Sequence, residues 1–212
     1  MNFKLISMGV NILQQISVGD VSDKDWDKRL GIDTGDEDYI MPDRKMDIDD
    51  MLYLPTPYIR LAQLFMFLKK EGLINSKEVF VDIGCGKGRI LLMAILAGLK
   101  HVVGVDIDSN VLNVANININ KFMSQLDSST LFEGDILSYK PTNETIFYLY
   151  FPFSHDKARA LLNNIKNSLI ENPRTIRIIL RANRYSDVLQ ENSDWLVPRE
   201  TGVPSVYMYE SI

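Results

Sequence analysis

From residue 55 onward, hydrophobic positions along the chain follow two alternating patterns. Short runs rich in β-branched and aromatic residues predict strands at 79–83, 101–105, 130–133, 145–151 and 175–180. Segments with apolar residues at helical spacing predict helices at 89–97, 109–123, 154–170 and 185–190, preceded by one that begins at Tyr58 and is closed by Gly72. Two more strands, at 195–199 and 205–209, flank the turn at Thr201-Gly202 and predict a closing hairpin.

This order of elements predicts an α/β fold. Strands that alternate with helices form a mostly parallel sheet covered on both faces, because each helix returns the chain across the sheet. We therefore expect a three-layer sandwich around a seven-stranded sheet, in which the hairpin supplies one antiparallel strand. Ser109 is the predicted N-cap of its helix.

The first 54 residues have a different pattern. Leu5, Met8, Ile12 and Ile16 recur at helical spacing and predict an amphipathic helix docked on the domain. Residues 20–54 are expected to be irregular, and between Asp20 and Asp50 twelve acids face five bases, which gives that stretch a charge of −7. It is either a solvated connector or an acidic lid that attracts a cationic substrate. We divide the chain into an N-terminal helix plus lid-like extension at 1–54 and a second unit at 55–212.

Composition excludes several classes of protein. Apolar residues make up 46% and charged residues 24% of the chain, a balance typical of globular proteins, and no run of 18 apolar residues predicts a membrane span. A single lysine before the first apolar stretch is a poor secretory signal, and one cysteine excludes an internal disulfide, so we expect a cytoplasmic protein. The absence of a basic cluster from a chain of net charge −5 makes nucleic acid an unlikely partner.

A glycine-rich loop is the strongest chemical signal. The first predicted strand ends in Asp82 and continues into Gly84, Gly86 and Gly88 before a helix begins. Glycines are needed where the chain turns sharply and a ligand lies against bare backbone, and the carboxyl end of a central parallel strand is the usual ligand crevice. Cys85 lies inside this loop, where a packing role is favoured over nucleophilic catalysis.

Two acids end the next two strands. Asp106 follows Gly88 by 18 residues, where a carboxylate can accept both hydroxyls of a ribose. Asp135 follows the third strand, where it can accept from the exocyclic amine of a purine. Each acid alone is more often a loop or cap residue. Asp82, Asp106 and Asp135 at the ends of three successive strands together indicate a nucleotide-like ligand. The spacing argues against a nicotinamide enzyme, because a dinucleotide fingerprint would need glycine at Arg89.

Residues 79–88, 103–106 and 134–135 resemble the class I S-adenosylmethionine-dependent methyltransferases, which have a Rossmann-like fold. The resemblance covers residues 55–212 and implies that this unit is the catalytic domain. It implies that Asp82 and the glycine backbone hold the methionine part, Asp106 the ribose and Asp135 the adenine amine of S-adenosyl-L-methionine. The complete cofactor-binding set that we predict is Asp82, Gly84, Cys85, Gly86, Gly88, Asp106, Ile107, Asp135, Ile136, Thr56 and Tyr150. No metal is expected.

A second resemblance is narrower. Residues 53–58 and 147–154 resemble a group of bacterial methyltransferases of undefined substrate, distantly similar to the Dot1-type protein-lysine methyltransferases. That group reads Asn-Pro-Phe after the fourth strand, and its amide orients an amine; here Phe151, Pro152 and Phe153 stand in those places. The resemblance implies transfer to an amine on a protein or small molecule. Oxygen or carbon acceptors and a catalytically silent binding protein stay open, because Phe151 lacks the amide.

Several further side chains are candidates for catalysis. Tyr150, Phe151 and Phe153 could form an aromatic wall that favours a cationic methyl donor, whereas Phe147 and Tyr148 could equally be buried in the sheet. His155 could remove a proton, but a first-turn helix position capped by Ser154 is favoured. Thr56 and Tyr58 either reach the cofactor or acceptor or simply form a helix entry. The chain is expected to be a monomer or a homodimer.

Overall fold

Seven helices and seven strands make up the described part of the chain. The computed structural model describes residues 3–35, 55–150 and 153–212. The helices are α1 (Phe3–Val18), α2 (Asp23–Leu30), α3 (Tyr58–Lys70), α4 (Arg89–Leu96), α5 (Ser109–Asn120), α6 (His155–Glu171) and α7 (Ser186–Gln190). The strands are β1 (Val79–Ile83), β2 (His101–Asp106), β3 (Ser128–Glu133), β4 (Ile146–Leu149), β5 (Arg177–Arg181), β6 (Leu196–Arg199) and β7 (Val206–Ser211).

The strands form one sheet in the order β3-β2-β1-β4-β5-β7-β6. The first five pair in parallel, and β7 runs antiparallel to both β5 and β6. This confirms the predicted mostly parallel, seven-stranded sheet with one antiparallel strand from the hairpin. The two central strands β1 and β4 are almost entirely buried, which is why all their residues except Asp82 are apolar.

Helices cover both faces of the sheet. Side chains of α1, α3, α4 and α5 contribute to one core cluster with the sheet, and those of α6 and α7 to the other. All eight residues of α4 are buried, including Arg89 at its start. An apolar sequence on every side of a helix is expected where the helix is enclosed by neighbours. The three layers agree with the fold predicted from the sequence.

The N-terminal residues pack into the first of these clusters. Helix α1 lies against α3, and Leu13 and Ile16 of α1 are buried. The predicted face residues Leu5 and Met8 lie outside the described side chains. Trp26 and Ile32 belong to the same cluster, so the segment before residue 36 shares a core with the sheet. The division of the chain at residue 54 stays a prediction.

The prediction that residues 20–54 are irregular is wrong for Asp23–Leu30, which form α2. The hydroxyl of Ser22 caps this helix by accepting from the amide of Asp25, and Gly31 ends it with a φ of 69°. The helix is short and strongly polar, with buried Trp26 as its apolar contact, so no helical periodicity was visible. Residues 36–54 lie outside the described residues.

Smaller boundary predictions also needed correction. Asp108, rather than Ser109, caps α5 by accepting from the amide of Asn110 at 2.8 Å. The fourth strand ends at Leu149 instead of continuing to residue 151, and Phe151 and Pro152 lie outside the described residues. Within the described residues, no helix has the length and hydropathy needed to cross a membrane.

Gly104 tests how tightly the sheet packs against its helices. A Cβ atom at this position would lie 2.7 Å from Leu131 Cδ2 and 2.8 Å from both Cys85 Sγ and Leu91 Cδ1. We expect Gly104→Ala to lower the free energy of unfolding by about 1–3 kcal/mol, because three neighbours must shift at once. Chemical denaturation measures this change. Gly35→Ala is the control, since nothing lies within 4 Å of its added methyl group; equal losses would contradict the packing argument.

Candidate functional site

The glycine loop lies at the carboxyl edge of the sheet and is fixed to the neighbouring strand. The amides of Gly84 and Cys85 donate to the carbonyl of Val105 at 2.8 and 3.0 Å. Gly84, Gly86 and Gly88 have φ values of 77°, 50° and 84°, which side chains other than hydrogen strongly disfavour. The loop therefore presents backbone to the crevice, as the glycine spacing predicts.

The carboxylate of Asp106 is hydrogen-bonded to the glycine loop and to the turn after β2. Its Oδ2 accepts from the amide of Gly86 at 2.8 Å, and its Oδ1 accepts from the amide of Asp108 at 3.0 Å. Burial raises the pKa of Asp106, and these amide donors act in the opposite direction. Each carboxylate oxygen can accept a second hydrogen bond, so the positioned carboxylate remains able to accept from a ligand.

Asp82 carries a buried carboxyl group whose hydrogen bonding is incomplete. The residue is 1% exposed, and its Oδ2 has no hydrogen-bond partner among the described residues. Burial, and then the negative charge of Asp106, raise its pKa well above the usual range. A buried polar atom without a partner is unfavourable unless a ligand satisfies it. A cationic group beside Asp82 would satisfy it.

Cys85 is enclosed beneath the loop. It is 6% exposed, and burial together with Asp106 and Asp82 raises its pKa well above the usual range. A thiol held in its neutral form is a poor nucleophile. The packing role that the sequence favoured agrees with this position.

Asp135, the acid predicted to accept from the adenine amine, follows the carboxyl end of β3. Asp135 caps a short 3₁₀ turn, with Oδ1 accepting from the amide of Leu137 at 2.8 Å, and its Oδ2 lies 3.2 Å from Lys157 Nζ. Ile107 is 39% exposed beside Asp106, whereas Ile136 is buried. Of these two predicted contacts, Ile107 offers an apolar surface to a ligand.

Arg89 forms a buried network that sequence reasoning missed. It follows Gly88 directly, is 4% exposed, and its Nη1 donates to Asp23 Oδ2 at 2.5 Å. Its Nε and Nη2 donate to the hydroxyl and carbonyl of Thr34 at 2.7 and 3.2 Å. The Thr34 hydroxyl in turn donates to Asp27 Oδ1 at 2.7 Å. The guanidinium of Arg89 therefore connects α2 and Thr34 to α4, the helix that follows the glycine loop.

Lys87 makes a second connection from inside the loop. Its Nζ lies 3.1 Å from Asp33 Oδ1, although Lys87 itself is 5% exposed. The side-chain amide of Asn118 donates to the carbonyls of Asp33 and Lys87 at 2.7 and 3.0 Å. The chain around residue 33 is therefore held between the loop and α5.

These contacts change the interpretation of the acidic N-terminal stretch. Asp23 and Asp27 share Arg89, and Asp33 faces Lys87, so two buried cations partly offset the charge of three of its acids. The paired acids therefore contribute less to any attraction of a cationic substrate than the sequence count suggests. The other acids between 36 and 50 lie outside the described residues.

Tyr58 belongs to the Arg89 network. It is fully buried, its hydroxyl donates to Asp27 Oδ1 at 2.5 Å, and the guanidinium carbon of Arg89 lies 4.5 Å from its ring centroid. Burial and the charge of Asp27 raise its pKa. This geometry fits the helix-entry interpretation better than contact with an acceptor. Thr56 is also buried, and its hydroxyl lies 3.1 Å from that of Tyr148, which is fully buried as well.

The loops after β4 and β5 are joined to each other. Phe153 is buried with its ring stacked on Tyr185 at 5.7 Å, and the Tyr185 hydroxyl donates to the Phe153 carbonyl at 2.6 Å. His155 Nε2 lies 2.9 Å from the carbonyl oxygen of Arg184, and Ser154 caps α6 as predicted. His155 is therefore a first-turn helix residue with a backbone partner. Tyr150 is partly buried beside the first core cluster.

The comparison with known proteins agrees with this geometry. A family described as a methyltransferase domain matches residues 74–189, which is more than half of the chain. The ribosomal protein L11 methyltransferases of Caldanaerobacter subterraneus and Thermoanaerobacter pseudethanolicus are 23% and 24% identical to this chain over 152 residues. Each match covers 64% of this chain and 48% of the relative, so the chain spans about half the length of the curated relatives it matches.

Two solved structures show the same fold. Magnesium protoporphyrin IX methyltransferase from Synechocystis PCC 6803, with bound SAM, is similar with a TM-score of 0.56 and 13% identity, over 96% of this chain and 95% of that one. An RNA methyltransferase from Salinibacter ruber, in complex with S-adenosyl-L-homocysteine, has a TM-score of 0.50 and 19% identity, over 74% and 92% of the two chains. At these identities, the likeness concerns the fold.

The Arg89 network predicts a large effect of one substitution. Arg89→Gln leaves buried Asp27 without its guanidinium, so we expect the free energy of unfolding to fall by about 3–5 kcal/mol. Hydrogen exchange should become faster in residues 23–34, because they lose their attachment to α4. Arg159→Gln is the control: Arg159 forms ion pairs with Glu191 and Asp156 at the surface, and its loss should matter far less. Equal effects of the two changes would contradict the proposed network.

Proposed function

This chain belongs to the methyltransferase-domain family, with the fold of the class I S-adenosylmethionine-dependent methyltransferases, and we propose that it transfers a methyl group from S-adenosyl-L-methionine to an amine on a protein or small molecule. The single observation that carries the cofactor part is the buried, unpartnered oxygen of Asp82 beneath a glycine loop. An acceptor atom in that position suits the ammonium of the methionine portion.

The other loop residues suit the remaining parts of the cofactor. Asp106, already fixed by the amides of Gly86 and Asp108, would accept from the ribose hydroxyls. Ile107 would lie against the adenine, and Asp135 would accept from its amine. Thr56 and Tyr150 would border the methionine side, with Gly84, Cys85, Gly86 and Gly88 supplying backbone.

When bound, S-adenosyl-L-methionine supplies a methyl group on a sulfonium that a nucleophile can displace in line. The chain's part in such a displacement is to orient the two reactants and to exclude water. Helices packed on both faces of the sheet, and the hydrogen bond between the loops at Phe153 and Tyr185, would hold the reactants in place. Phe151, Pro152 and Phe153 would border the acceptor. The hydrogen bond from His155 Nε2 to the carbonyl of Arg184 would leave Nδ1 as the proton-accepting atom of this ring.

The names of the relatives bear on the identity of the acceptor. The names of the two L11 methyltransferases say that they act on a ribosomal protein, which supports a protein acceptor here. The Salinibacter protein is described as an RNA methyltransferase, so RNA has to be included among the outcomes of any test. Phe151, which replaces the amide of the amine-methylating pattern, favours a second candidate: a methyltransferase-fold protein that binds the cofactor without catalysis.

Asp82→Asn separates cofactor binding from stability. We expect its affinity for S-adenosylhomocysteine to fall about 10- to 100-fold, because the amide cannot offer a charged partner to the ammonium. The folded protein should be at least as stable as the wild type at neutral pH. Isothermal titration calorimetry and chemical denaturation measure the two quantities.

The pH dependence follows from the raised pKa of Asp82. Because the unfolded chain gives up this proton at lower pH than the folded chain, wild-type stability should decline as the pH rises from the unfolded to the folded pKa. Asp82→Asn should remove that part of the decline. Asp127→Asn, at an exposed carboxylate near His101, is the matched control and should change neither quantity. Parallel loss of affinity and stability in Asp82→Asn would assign Asp82 a structural role instead.

Methyl transfer is tested with cofactor labelled in its methyl group and a cell extract divided into protein, nucleic-acid and small-molecule fractions. The proposal expects label in the protein or small-molecule fraction, released from nitrogen on chemical analysis. Label attached to oxygen or carbon would support the alternative acceptors, and label in RNA would overturn the exclusion of nucleic acid. Binding of S-adenosylhomocysteine without label in any fraction would favour the silent binding protein.

A further inference from the structure

Arg181 ends β5 at the same edge of the sheet as the glycine loop, and one of its atoms has no partner. Its Nη1 donates to the carbonyls of Ser205 and Pro204 at 2.9 and 3.2 Å. Its Nε is buried and has no hydrogen-bond partner in the part of the chain that the structure describes. A buried N–H of a cationic group that is left without an acceptor is unfavourable, so the arrangement calls for an acceptor that the described residues do not supply.

The backbone around Arg181 is strained. Ala182 and Ser205 have φ values of 69° and 57°, and among the described residues they are the two that have a positive φ without being glycine. Ala182 follows Arg181 directly, and the Ser205 carbonyl accepts both from Arg181 Nη1 and from the amide of Ala182. Strained backbone of this kind is typical of functional sites, where it fixes a side chain that a relaxed turn would release.

The strand order places Arg181 two strands away from the glycine loop. Strand β4 lies between β1, which carries the glycine loop, and β5. Two strand spacings, about 9.5 Å, therefore separate the backbones of β1 and β5. A cofactor held by Asp82 would meet its acceptor across the end of β4, and Arg181 lies on the far side of that position.

Register shows that Arg181 shares a face with the site. Asp82, Tyr148 and Ile179 are aligned across β1, β4 and β5, so their side chains point to one face, and Arg181 is two residues beyond Ile179. Burial raises the pKa of Tyr148, and Arg181 acts in the opposite direction, as a nearby cation does. The register therefore places Arg181 on the same face of the sheet as Asp82 and the fully buried Tyr148.

We propose that Arg181 determines acceptor specificity by binding an acidic group, a carboxylate or phosphate, on a small-molecule methyl acceptor. Guanidinium N–H groups form strong, directional hydrogen bonds with such anions. One buried N–H suits a single acidic group, whereas RNA would require several accessible cations along its backbone. This inference rests on the proposed function and narrows it, because it assigns the acceptor a negative charge close to the methylated atom.

The experiment uses the small-molecule fraction of a cell extract, separated by strong anion exchange at neutral pH, and methyl-labelled S-adenosyl-L-methionine. Labelled product should form from material that the exchanger retains. Arg181→Gln should raise the amount of this material needed for half-maximal rate about 10- to 100-fold, because a charge-assisted hydrogen bond is lost. Its affinity for S-adenosylhomocysteine should match the wild type, and calorimetry measures how far the loss of the bonds to Pro204 and Ser205 lowers its melting temperature.

Two more variants keep the test independent of folding. Arg181→Lys retains the charge without the Nε–H and should lie between the wild type and Arg181→Gln. Arg199→Gln makes the same change on β6, where Arg199 lies 3.4 Å from Glu210, and should leave the acceptor dependence unchanged. A variant that melts early is identified by calorimetry, and Arg181→Lys then decides the question.

Three outcomes would overturn this inference but leave the proposed methyl transfer standing. They are acceptor activity in the unretained fraction, label only in macromolecules, and an unchanged amount of acceptor material for half-maximal rate in Arg181→Gln. Weaker binding of S-adenosylhomocysteine by Arg181→Gln, to the same extent as the loss of transfer, would place the guanidinium at the cofactor instead. Label in no fraction, although S-adenosylhomocysteine binds, would overturn the proposed methyl transfer and with it this inference. The two failures are therefore distinguishable.

Discussion

The buried guanidinium of Arg89 is the constraint on which much of this structure depends. A cation that is 4% exposed requires anionic and polar partners close by, and the chain supplies them from α2, from Thr34 and from the carbonyl of Thr56 before α3. Because Arg89 immediately follows the glycine loop, its partners also fix the position of that loop relative to the N-terminal segment. The cofactor crevice is thus built from parts of the chain that are distant in sequence.

The second constraint is electrostatic repulsion inside the crevice. Asp82 and Asp106 are both largely buried, and the charge of Asp106 contributes to the raised pKa of Asp82. A protein selected for stability alone would place an apolar residue at one of these positions, since uncompensated buried carboxylates lower stability. Two such acids at the ends of neighbouring strands are understandable where a ligand brings a cation and several hydroxyl groups to them.

The sequence was sufficient for the fold and for the backbone of the cofactor crevice, because both depend on local patterns. Apolar runs, interrupted in β1 by Asp82, identified β1 and β4, and the glycines identified the turn between β1 and α4. It was insufficient for α2, whose eight residues are mostly charged and whose helical structure depends on a cap and on contacts with Arg89. Short polar helices leave no hydrophobic period to detect.

The same distinction applies to the site residues. A charged residue at the start of the otherwise apolar α4 was a signal for a buried ion pair, but its partners lie 66 and 55 residues away in Asp23 and Thr34. Arg181 likewise ends an apolar strand, and only the sheet order shows that it lies across β4 from the glycine loop. Long-range pairing of this kind is set by tertiary structure, which the residue pattern of a single sequence does not reveal.

The docking of the N-terminal segment has an evolutionary consequence. Arg89 and the acids that surround it must be inherited together. A descendant that lost α2 would retain a guanidinium without counter-charges, and one that lost Arg89 would retain buried Asp27 without its cation. Replacement at either end must therefore be accompanied by replacement at the other. Members of this family that have shed their N-terminal extension should carry an apolar residue at the position of Arg89, which makes that position a marker of the extension in sequences of unknown structure.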